Sequence, residues 1–312
     1  MSSSNGSNVQ TENWAGDPML VPMKDILLHA QKEGYAVVAA NCNNEDTVRA
    51  CIEAAEEQRS AIILNIGYGA NSMQYDHRLG RLVGEHFEEV PKLMVFFGRI
   101  CEKLAEDASI PVAINLDHGA SFEHAIWAIR AGYTSIMIDR SMLPFEQNIA
   151  EVKELVKIAH AVNVSVEAEL GHVGWGAQYE KDGISHLTDP TEARQYVAQT
   201  GCDALAVAIG SAHGEYSGTP YIDFDRLKEI RNNVTVPLVL HGGSGTGKEN
   251  LRRAAKEGIC KVNIGTDLYK AGAKAWNDAN CTFAGNGYQM IKEGYKRCLI
   301  SYMEILGSCN RY

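Results

Sequence analysis

The sequence lacks an excess of basic residues, and this excludes one large class of function. Its 312 residues include 29 Lys and Arg against 39 Asp and Glu, a formal net charge of −10. A general nucleic-acid-binding protein needs a basic surface, so no nucleic acid is expected as a partner. An anionic substrate would have to be held by local features: backbone N–H groups, a metal ion or single basic residues.

Long apolar runs and a secretory signal are also missing. No stretch reaches 18 consecutive apolar residues, so the sequence predicts no membrane partner and no membrane-spanning segment. Residues 1–18, "MSSSNGSNVQTENWAGDP", have no apolar core and are typical of a disordered tail. The eight cysteines form no C-x-x-C pair, and most lie in apolar or helical contexts, which favours reduced thiols in a cytoplasmic protein.

No nucleotide-binding motif is complete. The stretch "GGSGTGKE" at 242–249 almost fits a P-loop, but Glu249 stands where that motif needs a hydroxyl group for Mg²⁺. The stretch "AANCNNED", after the first apolar run, also lacks the glycine-rich turn of a dinucleotide-binding fold. The glycines near residue 242 therefore need another explanation.

Short apolar runs rich in β-branched residues recur along the chain, and segments of helical period separate them. Eight strands that alternate with helices predict parallel βα units, and eight is the number that closes a TIM (β/α)8 barrel. We expect an α/β protein with one barrel domain over residues 19–312 and a C-terminal helical extension after residue 270. A doubly wound open sheet is the alternative. The runs span 35–41, 61–67, 110–118, 135–141, 164–171, 204–214, 236–243 and 260–266.

Polar residues concentrate at the ends of these runs, where TIM barrels place their catalytic groups. Three histidines end the third, sixth and seventh runs, and three imidazoles with one open position are a known catalytic zinc arrangement. The alternative is that each is a hydrogen-bonded structural histidine. The residues concerned are Asp117, His118, Glu167, Glu169, His213, His241 and Asn263.

Several long words of the sequence resemble the class II, metal-dependent ketose-bisphosphate aldolases, the fructose- and tagatose-bisphosphate aldolase family. They are "NLDHGASFEHAIWAIRAGYTSIMIDRS", "VSVEAELG", "LAVAIGSAHGEY", "VPLVLHGGSG" and "KVNIGTDL". The resemblance extends from about residue 20 to residue 270.

The resemblance implies a metal site. In that family zinc is held by the histidines that match His118, His213 and His241, and the glutamate that matches Glu169 is an alternative ligand. A second ion, or a monovalent cation, is an open addition. The resemblance also makes Asp117 the group that exchanges a proton with the C4 hydroxyl of the substrate.

The resemblance further implies a phosphate cradle and a second acid–base group. The loop after the fifth strand supplies the acid–base for the enediolate carbon, and here Glu180 is the first candidate and Asp182 the second. Asn41 matches a residue that contacts substrate, although it could instead cap the following helix. The cradle is expected to contain Gly214, Gly242, Ser244, Asn263, Thr266 and Asp267.

Three departures from the family pattern affect the substrate. Trp175 replaces a glycine in the loop "GWGAQYEKDG", which also has extra residues before its acid. Gly265 and Tyr269 replace an aspartate and an arginine that help to select fructose bisphosphate and to bind its far phosphate. The metal site and the near-phosphate site look intact, whereas the far end differs.

The sequence thus predicts a zinc-dependent aldolase that cleaves a ketose phosphate to dihydroxyacetone phosphate and an aldehyde. Fructose or tagatose 1,6-bisphosphate is the nominal substrate, and a cytoplasmic homodimer or higher even oligomer is expected. One alternative is an aldolase for a different ketose 1-phosphate, and another is a non-catalytic aldolase-like barrel. A Schiff-base aldolase is disfavoured because Lys261 begins the eighth run instead of ending it.

Overall fold

Eight parallel strands close a barrel in chain order, as expected. The computed structural model describes residues 19–68, 90–174, 186–216 and 218–312, and the backbone of 75–76 and 81–82. Each strand pairs with its neighbours in sequence, and β1 pairs with β8 to complete the ring. The strands are β1 Val37–Asn41, β2 Ile62–Gly67, β3 Val112–Gly119, β4 Ser135–Ile138, β5 Ser165–Leu170, β6 Ala204–Val207, β7 Leu238–Leu240 and β8 Ile259–Ile264.

Helices lie between the strands and after the last one, and they confirm the TIM barrel with its C-terminal helical extension. A short antiparallel pair, Tyr75–Asp76 with Arg81–Leu82, follows β2. None of the described helices combines the length and the apolar character that crossing a membrane requires. The helices are α1 Met23–Glu33, α2 Glu45–Gln58, α3 Val90–Ala105, α4 Phe122–Arg130, α5 Phe145–His160, α6 Pro190–Thr200, α7 Phe224–Asn233, α8 Lys248–Lys256, α9 Thr266–Asp278 and α10 Ala284–Leu306.

The first half of the barrel interior is apolar. The inward-facing residues Val37, Ile63 and Ala113 form one buried cluster with Met23 and Ile26 of α1. The helix α1 therefore closes the N-terminal end of the barrel. Since α1 and apolar side chains fill this end of the barrel, the polar groups of the interior lie towards the opposite end.

The interior becomes polar towards the carboxyl ends of the strands. Side chains of one strand face the same side at every second residue. Two residues beyond Ala39, Ile63 and Ala113 the inward positions are therefore Asn41, Asn65 and Asn115, which are aligned across β1, β2 and β3. This change along each strand places the polar groups of the barrel at one rim.

Some strands are shorter than the apolar runs predicted. β6 ends at Val207, although the run continues to residue 214. There the N–H of Ala208 donates to Oγ1 of Thr188 at 2.8 Å instead of continuing the ladder, and Gly210 turns the chain with φ of 114°. His213 therefore lies in a loop and not at a strand tip.

The C-terminal extension is a helical hairpin in which α9 and α10 cross closely. A Cβ atom at Gly294 of α10 would lie 2.5 Å from the carbonyl oxygen of Ala271 and 2.6 Å from Cβ of Ala275. These distances are shorter than a Cβ atom tolerates, so the crossing depends on the absence of a side chain.

We therefore expect Gly294→Ala to destabilise the protein. Alanine in a helix is favoured by about 1 kcal/mol over glycine, but overpacking against fixed backbone costs about 1–3 kcal/mol. The midpoint of thermal unfolding should fall, as followed by circular dichroism. The control is Gly285→Ala in the first turn of α10, where a new Cβ meets only the exposed ring of Phe283. Equal or higher stability of Gly294→Ala would contradict the close crossing.

Candidate metal centre

Three histidines from distant parts of the chain meet at the carboxyl end of the barrel. His118 is the penultimate residue of β3, and His241 directly follows β7. His213 lies in the loop after β6, where its N–H donates to the carbonyl of Gly174 at 2.8 Å. The ring centroid of His118 lies 4.9 Å from that of His213 and 4.7 Å from that of His241. One ring nitrogen of each lies within 4.8 Å of the others, as in a metal-binding triad.

Carboxylates orient two of the three imidazoles. Nδ1 of His118 lies 3.0 Å from Oδ2 of Asp139, and Nε2 of His241 lies 2.8 Å from Oε1 of Glu167. Such pairs fix the tautomer of a metal-ligating histidine, because the nitrogen that donates to the carboxylate leaves the other as the ligand. His118 also has a left-handed backbone with φ of 46°, which is uncommon for a residue with a side chain and occurs most often at functional sites.

The nitrogens left over by these pairs are buried without a hydrogen bond. Within the described part of the chain, no group hydrogen-bonds to Nε2 of His118, to Nδ1 of His241 or to Oε2 of Glu169. The last two atoms approach to 3.0 Å without the alignment of a hydrogen bond. Buried polar atoms normally have partners, so three convergent exceptions fit a metal ion that binds them all.

Buried carboxylates outnumber buried ammonium groups at this end of the barrel. Among the described residues, Asp117, Glu167 and Glu169 are buried carboxylates in this part of the barrel, and Lys261 is the one buried ammonium. A cation held by the imidazoles would lie among these carboxylates. Nitrogen and carboxylate donors in this number suit zinc. The residues present therefore fit the zinc site that the resemblance implies.

Electrostatics distinguishes the three imidazoles. Burial disfavours the charged form of His241, but the carboxylates of Glu167 and Glu169 outweigh it and raise the pKa of His241 to about 10. For His118 burial again opposes charging, but Asp117 and Asp139 raise its pKa. For His213 the balance is reversed: burial and the charges of the other two histidines outweigh Asp117 and Asp139 and hold the pKa of His213 well below its usual value.

Asp117 lies beside this centre as a buried carboxylate. Burial opposes its ionisation, but the charges of His118, His241 and Lys261 hold the pKa of Asp117 below its usual value. Nδ2 of Asn263 donates to its Oδ1 at 3.1 Å. The predicted proton acceptor is thus ionised and held in place.

Lys261 is not arranged as the nucleophile of a Schiff-base aldolase. Its Nζ lies 2.8 Å from Oε2 of Glu167, and both side chains are fully buried. A Schiff-base lysine must present its amine to the substrate carbonyl, whereas this Nζ is held by Glu167 and by Oδ1 of Asn263 at 2.7 Å. This geometry disfavours that alternative.

The predicted phosphate cradle lies between β7 and α9. A Cβ atom on Gly242 would come within 2.1 Å of the carbonyl oxygen of Ala212, so the backbone approach there requires glycine. Oγ of Ser244 accepts the N–H groups of Gly265 and Asp267, each at 3.3 Å. The serine hydroxyl therefore joins the loop to the N-terminus of α9, and its hydrogen is free of that role.

The other predicted cradle residues have different surroundings. Oδ2 of Asp267 accepts the N–H of Gly245 at 3.1 Å and a hydroxyl of Tyr302, so this carboxylate fixes the loop to the helical hairpin. Thr266 is the first residue of α9. Gly214 has φ of 84° directly after His213.

Asn41 is held by both its side chain and its backbone. Nδ2 of Asn115 donates to Oδ1 of Asn65 at 2.9 Å, and Nδ2 of Asn65 donates to Oδ1 of Asn41 at 3.0 Å. The hydroxyls of Tyr269 and Tyr295 both donate to the carbonyl oxygen of Asn41 at 2.8 Å. This ladder of amides leaves Nδ2 of Asn41 as the group that can meet a ligand.

Gly265 provides the space that this amide occupies. A Cβ atom at Gly265 would stand 2.8 Å from Nδ2 of Asn41. The departure from the family aspartate is therefore matched by a side-chain position that an aspartate would displace.

The side chain of His241 is 0% exposed and lies between two carboxylates. Three residues of the site were not predicted from the sequence: Asp139, Asn65 and Asn115. Asp139 directly follows β4. Asn65 and Asn115 lie inside β2 and β3 between apolar residues, and the pairing of these strands aligns them. The loop candidates Glu180 and Asp182, with Trp175, lie outside the described residues.

Comparison with known proteins assigns the family. The family model "Fructose-bisphosphate aldolase class-II" matches residues 21–311. The fructose-bisphosphate aldolase of Staphylococcus aureus strain Mu50 is 42% identical over 263 residues, which cover 83% of this chain and 85% of that protein. That of Thermus caldophilus is 38% identical over 328 aligned positions, which cover 94% of this chain and 100% of that protein.

A solved structure agrees with the sequence comparisons. The crystal structure of the YdjI aldolase from Escherichia coli K12 superposes with a TM-score of 0.79 at 31% identity, and the match covers 94% of this chain and 99% of that one. The chain belongs to the class-II fructose-bisphosphate aldolase family, which confirms the resemblance, the barrel and the aldolase class expected from its sequence.

Proposed function

We propose that the protein is a zinc-dependent aldolase that cleaves a ketose phosphate to dihydroxyacetone phosphate and an aldehyde, with fructose or tagatose 1,6-bisphosphate as nominal substrate. The observation that carries the proposal is the meeting of three imidazoles beside an ionised aspartate, with buried ligand atoms that lack hydrogen bonds. His118, His213 and His241 would hold the ion, and Glu169 is the additional ligand.

A bound zinc ion would supply Lewis-acid stabilisation of the negative charge that develops on the dihydroxyacetone phosphate half. The chain itself supplies the proton chemistry. Asp117 is ionised and can accept the proton of the C4 hydroxyl, whose departure opens the C3–C4 bond. The amide of Asn263 holds this carboxylate in place through its bond to Oδ1. Glu180 remains our candidate for protonating the carbon left behind, with Asp182 as the second choice.

The near phosphate would lie against the loops after β6, β7 and β8. Glycines allow backbone N–H groups to approach an anion, and the N-terminus of α9 favours negative charge. The hydroxyl of Ser244 and the backbone at Gly214, Gly242 and Thr266 are the groups assigned to it. Asp267 and Asn263 support the cradle: the Asp267 carboxylate accepts the N–H of Gly245, and the backbone carbonyl of Asn263 accepts that of Gly243.

Two observations favour the alternative, an aldolase for a ketose 1-phosphate without strong selection for a second phosphate. The hydroxyl of Tyr269, which replaces the family arginine, is bonded to the carbonyl of Asn41. The next residue, Lys270, forms an ion pair of 2.6 Å with Glu215 in the loop after His213. Both candidate partners for a far phosphate are thus already engaged.

The cellular setting belongs to the same proposal. All eight cysteines are free thiols, and five of them are buried, as suits a reducing cytoplasm. An even homo-oligomer formed through the outer helices completes the proposal. Gel filtration with light scattering checks this assembly.

A panel of ketose phosphates tests the activity. The zinc-loaded protein should release dihydroxyacetone phosphate from at least one of fructose 1,6-bisphosphate, tagatose 1,6-bisphosphate, fructose 1-phosphate or tagatose 1-phosphate, and a chelator should abolish this release. Absence of cleavage across the panel would favour the non-catalytic barrel. Trapping by borohydride with substrate would instead indicate a Schiff base.

We expect Glu215→Gln to increase the preference for a second phosphate. The substitution releases Lys270, and an exposed ion pair to phosphate contributes about 0.2–1 kcal/mol. The ratio of kcat/KM for fructose 1,6-bisphosphate over fructose 1-phosphate should therefore rise by up to about 5-fold. Glu249→Gln, which breaks the exposed pair with Arg252, is the matched control. An unchanged ratio in Glu215→Gln would show that Lys270 does not face the far end.

Removal of metal ligands should separate binding from stability. His213→Ala and His241→Ala are both expected to lose zinc, measured by elemental analysis, together with cleavage. His241→Ala should also lower the thermal midpoint in the metal-free state, because it leaves two fully buried carboxylates without their imidazole. Removal of His213 should lower the midpoint less, because burial and the charges of the other two histidines already oppose a charged imidazole there. Full zinc stoichiometry in either variant contradicts the assigned site.

Asp117→Ala should keep zinc and lose cleavage. A positioned acid–base group contributes about 10²-fold or more to the rate, and Asp117 is not one of the assigned zinc ligands. Zinc content and steady-state cleavage measure the two effects. Asp278→Ala, on the exposed end of α9, is the control. Cleavage at the wild-type rate would leave Asp117 with only a structural role.

A further inference from the structure

Lys261 is a buried cation that the proton chemistry above does not use. It lies on β8 with a side chain that is 0% exposed. Its Nζ lies 2.8 Å from Oε2 and 3.1 Å from Oε1 of Glu167, and 2.7 Å from Oδ1 of Asn263. A buried ammonium is costly unless it is paired and hydrogen-bonded, so both partners are fixed by the need to satisfy it.

Two chains of contacts leave this ammonium in different directions. Through Glu167 the first chain reaches Nε2 of His241 at 2.8 Å. Through Asn263 the second chain reaches Oδ1 of Asp117 at 3.1 Å. One chain therefore ends at an assigned zinc ligand and the other at the assigned proton acceptor.

The ammonium group of Lys261 sets the direction of the two hydrogen bonds made by the side chain of Asn263. A protonated lysine only donates hydrogen bonds, so Asn263 must turn its carbonyl oxygen towards Lys261. Its NH₂ group then faces Asp117 and donates to the carboxylate. A flipped amide would place an oxygen against that carboxylate and another donor against the ammonium.

The first chain of contacts fixes the imidazole of His241. Lys261 holds both carboxylate oxygens of Glu167, and Oε1 of Glu167 lies 2.8 Å from Nε2 of His241. This contact sets the position of the ring and so of Nδ1, which has no hydrogen bond in the described structure. The orientation of an assigned zinc ligand is thereby tied to Lys261.

We propose that Lys261 is a positioning residue that organises both parts of the centre at once: through Glu167 it fixes the orientation of the assigned zinc ligand His241, and through Asn263 it directs a donor to Asp117. This inference rests on the proposed function, because it assumes a metal at the triad and proton transfer at Asp117. It assigns to Lys261 a role distinct from that of a Schiff-base nucleophile.

The first test is Lys261→Met, which keeps the length of the side chain and removes its charge. Zinc affinity is measured by competition with a chromophoric chelator, and kcat and KM are measured at saturating zinc. Loss of a partner that orients a metal ligand typically costs 10- to 100-fold in affinity, and we expect a decrease of about that size. At saturating zinc kcat should fall about 10-fold or more while KM changes less than about 3-fold. Lys256→Met, at the exposed end of α8, is the control.

Variants that interrupt only one of the two chains of contacts make the proposal specific. Glu167→Gln should weaken zinc binding and recover most of its kcat when zinc is saturating. Asn263→Ala should lower kcat and leave zinc affinity within about 2-fold, because its amide contacts Asp117 and Lys261 and neither is an assigned zinc ligand. The double variant Lys261→Met with Asn263→Ala should have the kcat of Lys261→Met alone, since both substitutions interrupt the same contacts to Asp117.

Several results would overturn the inference. Lys261→Met with wild-type zinc affinity and wild-type kcat is one, and identical loss patterns in Glu167→Gln and Asn263→Ala are another. If Lys261→Met does not fold, these two variants still decide, because opposite patterns support the proposal and equal patterns contradict it. The zinc titrations need no substrate. A wild type that binds zinc but cleaves no ketose phosphate would therefore contradict the proposed function. The effect of Lys261 and Glu167 on zinc binding through His241 would still be tested by these titrations.

Discussion

The burial of carboxylates inside the barrel is the constraint on which the rest of the site depends. Asp117, Glu167 and Glu169 are almost inaccessible to water, and an unpaired buried carboxylate is strongly unfavourable. Their compensation comes from Lys261 and from the imidazoles of His118 and His241. Each of these groups is therefore held where the carboxylates need positive charge or a hydrogen-bond donor. The contacts that neutralise the buried carboxylates are therefore the same contacts that pack the polar end of the barrel interior.

The fold makes such burial possible by separating two interiors along the same strands. Towards the N-terminal end, small apolar side chains and α1 form an ordinary hydrophobic core. Together with the larger apolar cluster formed by the strands and the surrounding helices, it supplies the favourable free energy of folding, because apolar burial is the dominant contribution. The polar half can then contain buried charges, and buried polar atoms that lack hydrogen bonds. Such groups would destabilise a protein with a smaller apolar core. The separation arises because a strand presents alternate residues to one side, so two positions further along a strand remain inside but lie one layer higher.

Much of this could be predicted from the sequence, and what could not has an identifiable cause. The barrel follows from eight apolar runs, and His118 and His241 follow from polar residues at the ends of those runs. The environment of His241 did not follow, because its partners Glu167 and Glu169 lie 74 and 72 positions away and meet it only when β5 and β7 stand in the same ring. Asp139 was overlooked because its role depends on the neighbouring strand β3. Lys261 was weighed only as a nucleophile, since its ion pair is invisible without the register of β8. Position along one strand is written locally, whereas pairing across the barrel is a property of the closed ring.

The two tyrosine hydroxyls on the carbonyl of Asn41 have a consequence for how this residue can recognise anything. A carbonyl oxygen has two lone pairs, and Tyr269 of α9 and Tyr295 of α10 occupy both. That oxygen is saturated as an acceptor, so it is closed to a sugar hydroxyl or a cation. Its Oδ1 accepts one hydrogen bond, from Asn65, so any recognition by this residue is left to its side-chain amide and not to its main-chain carbonyl.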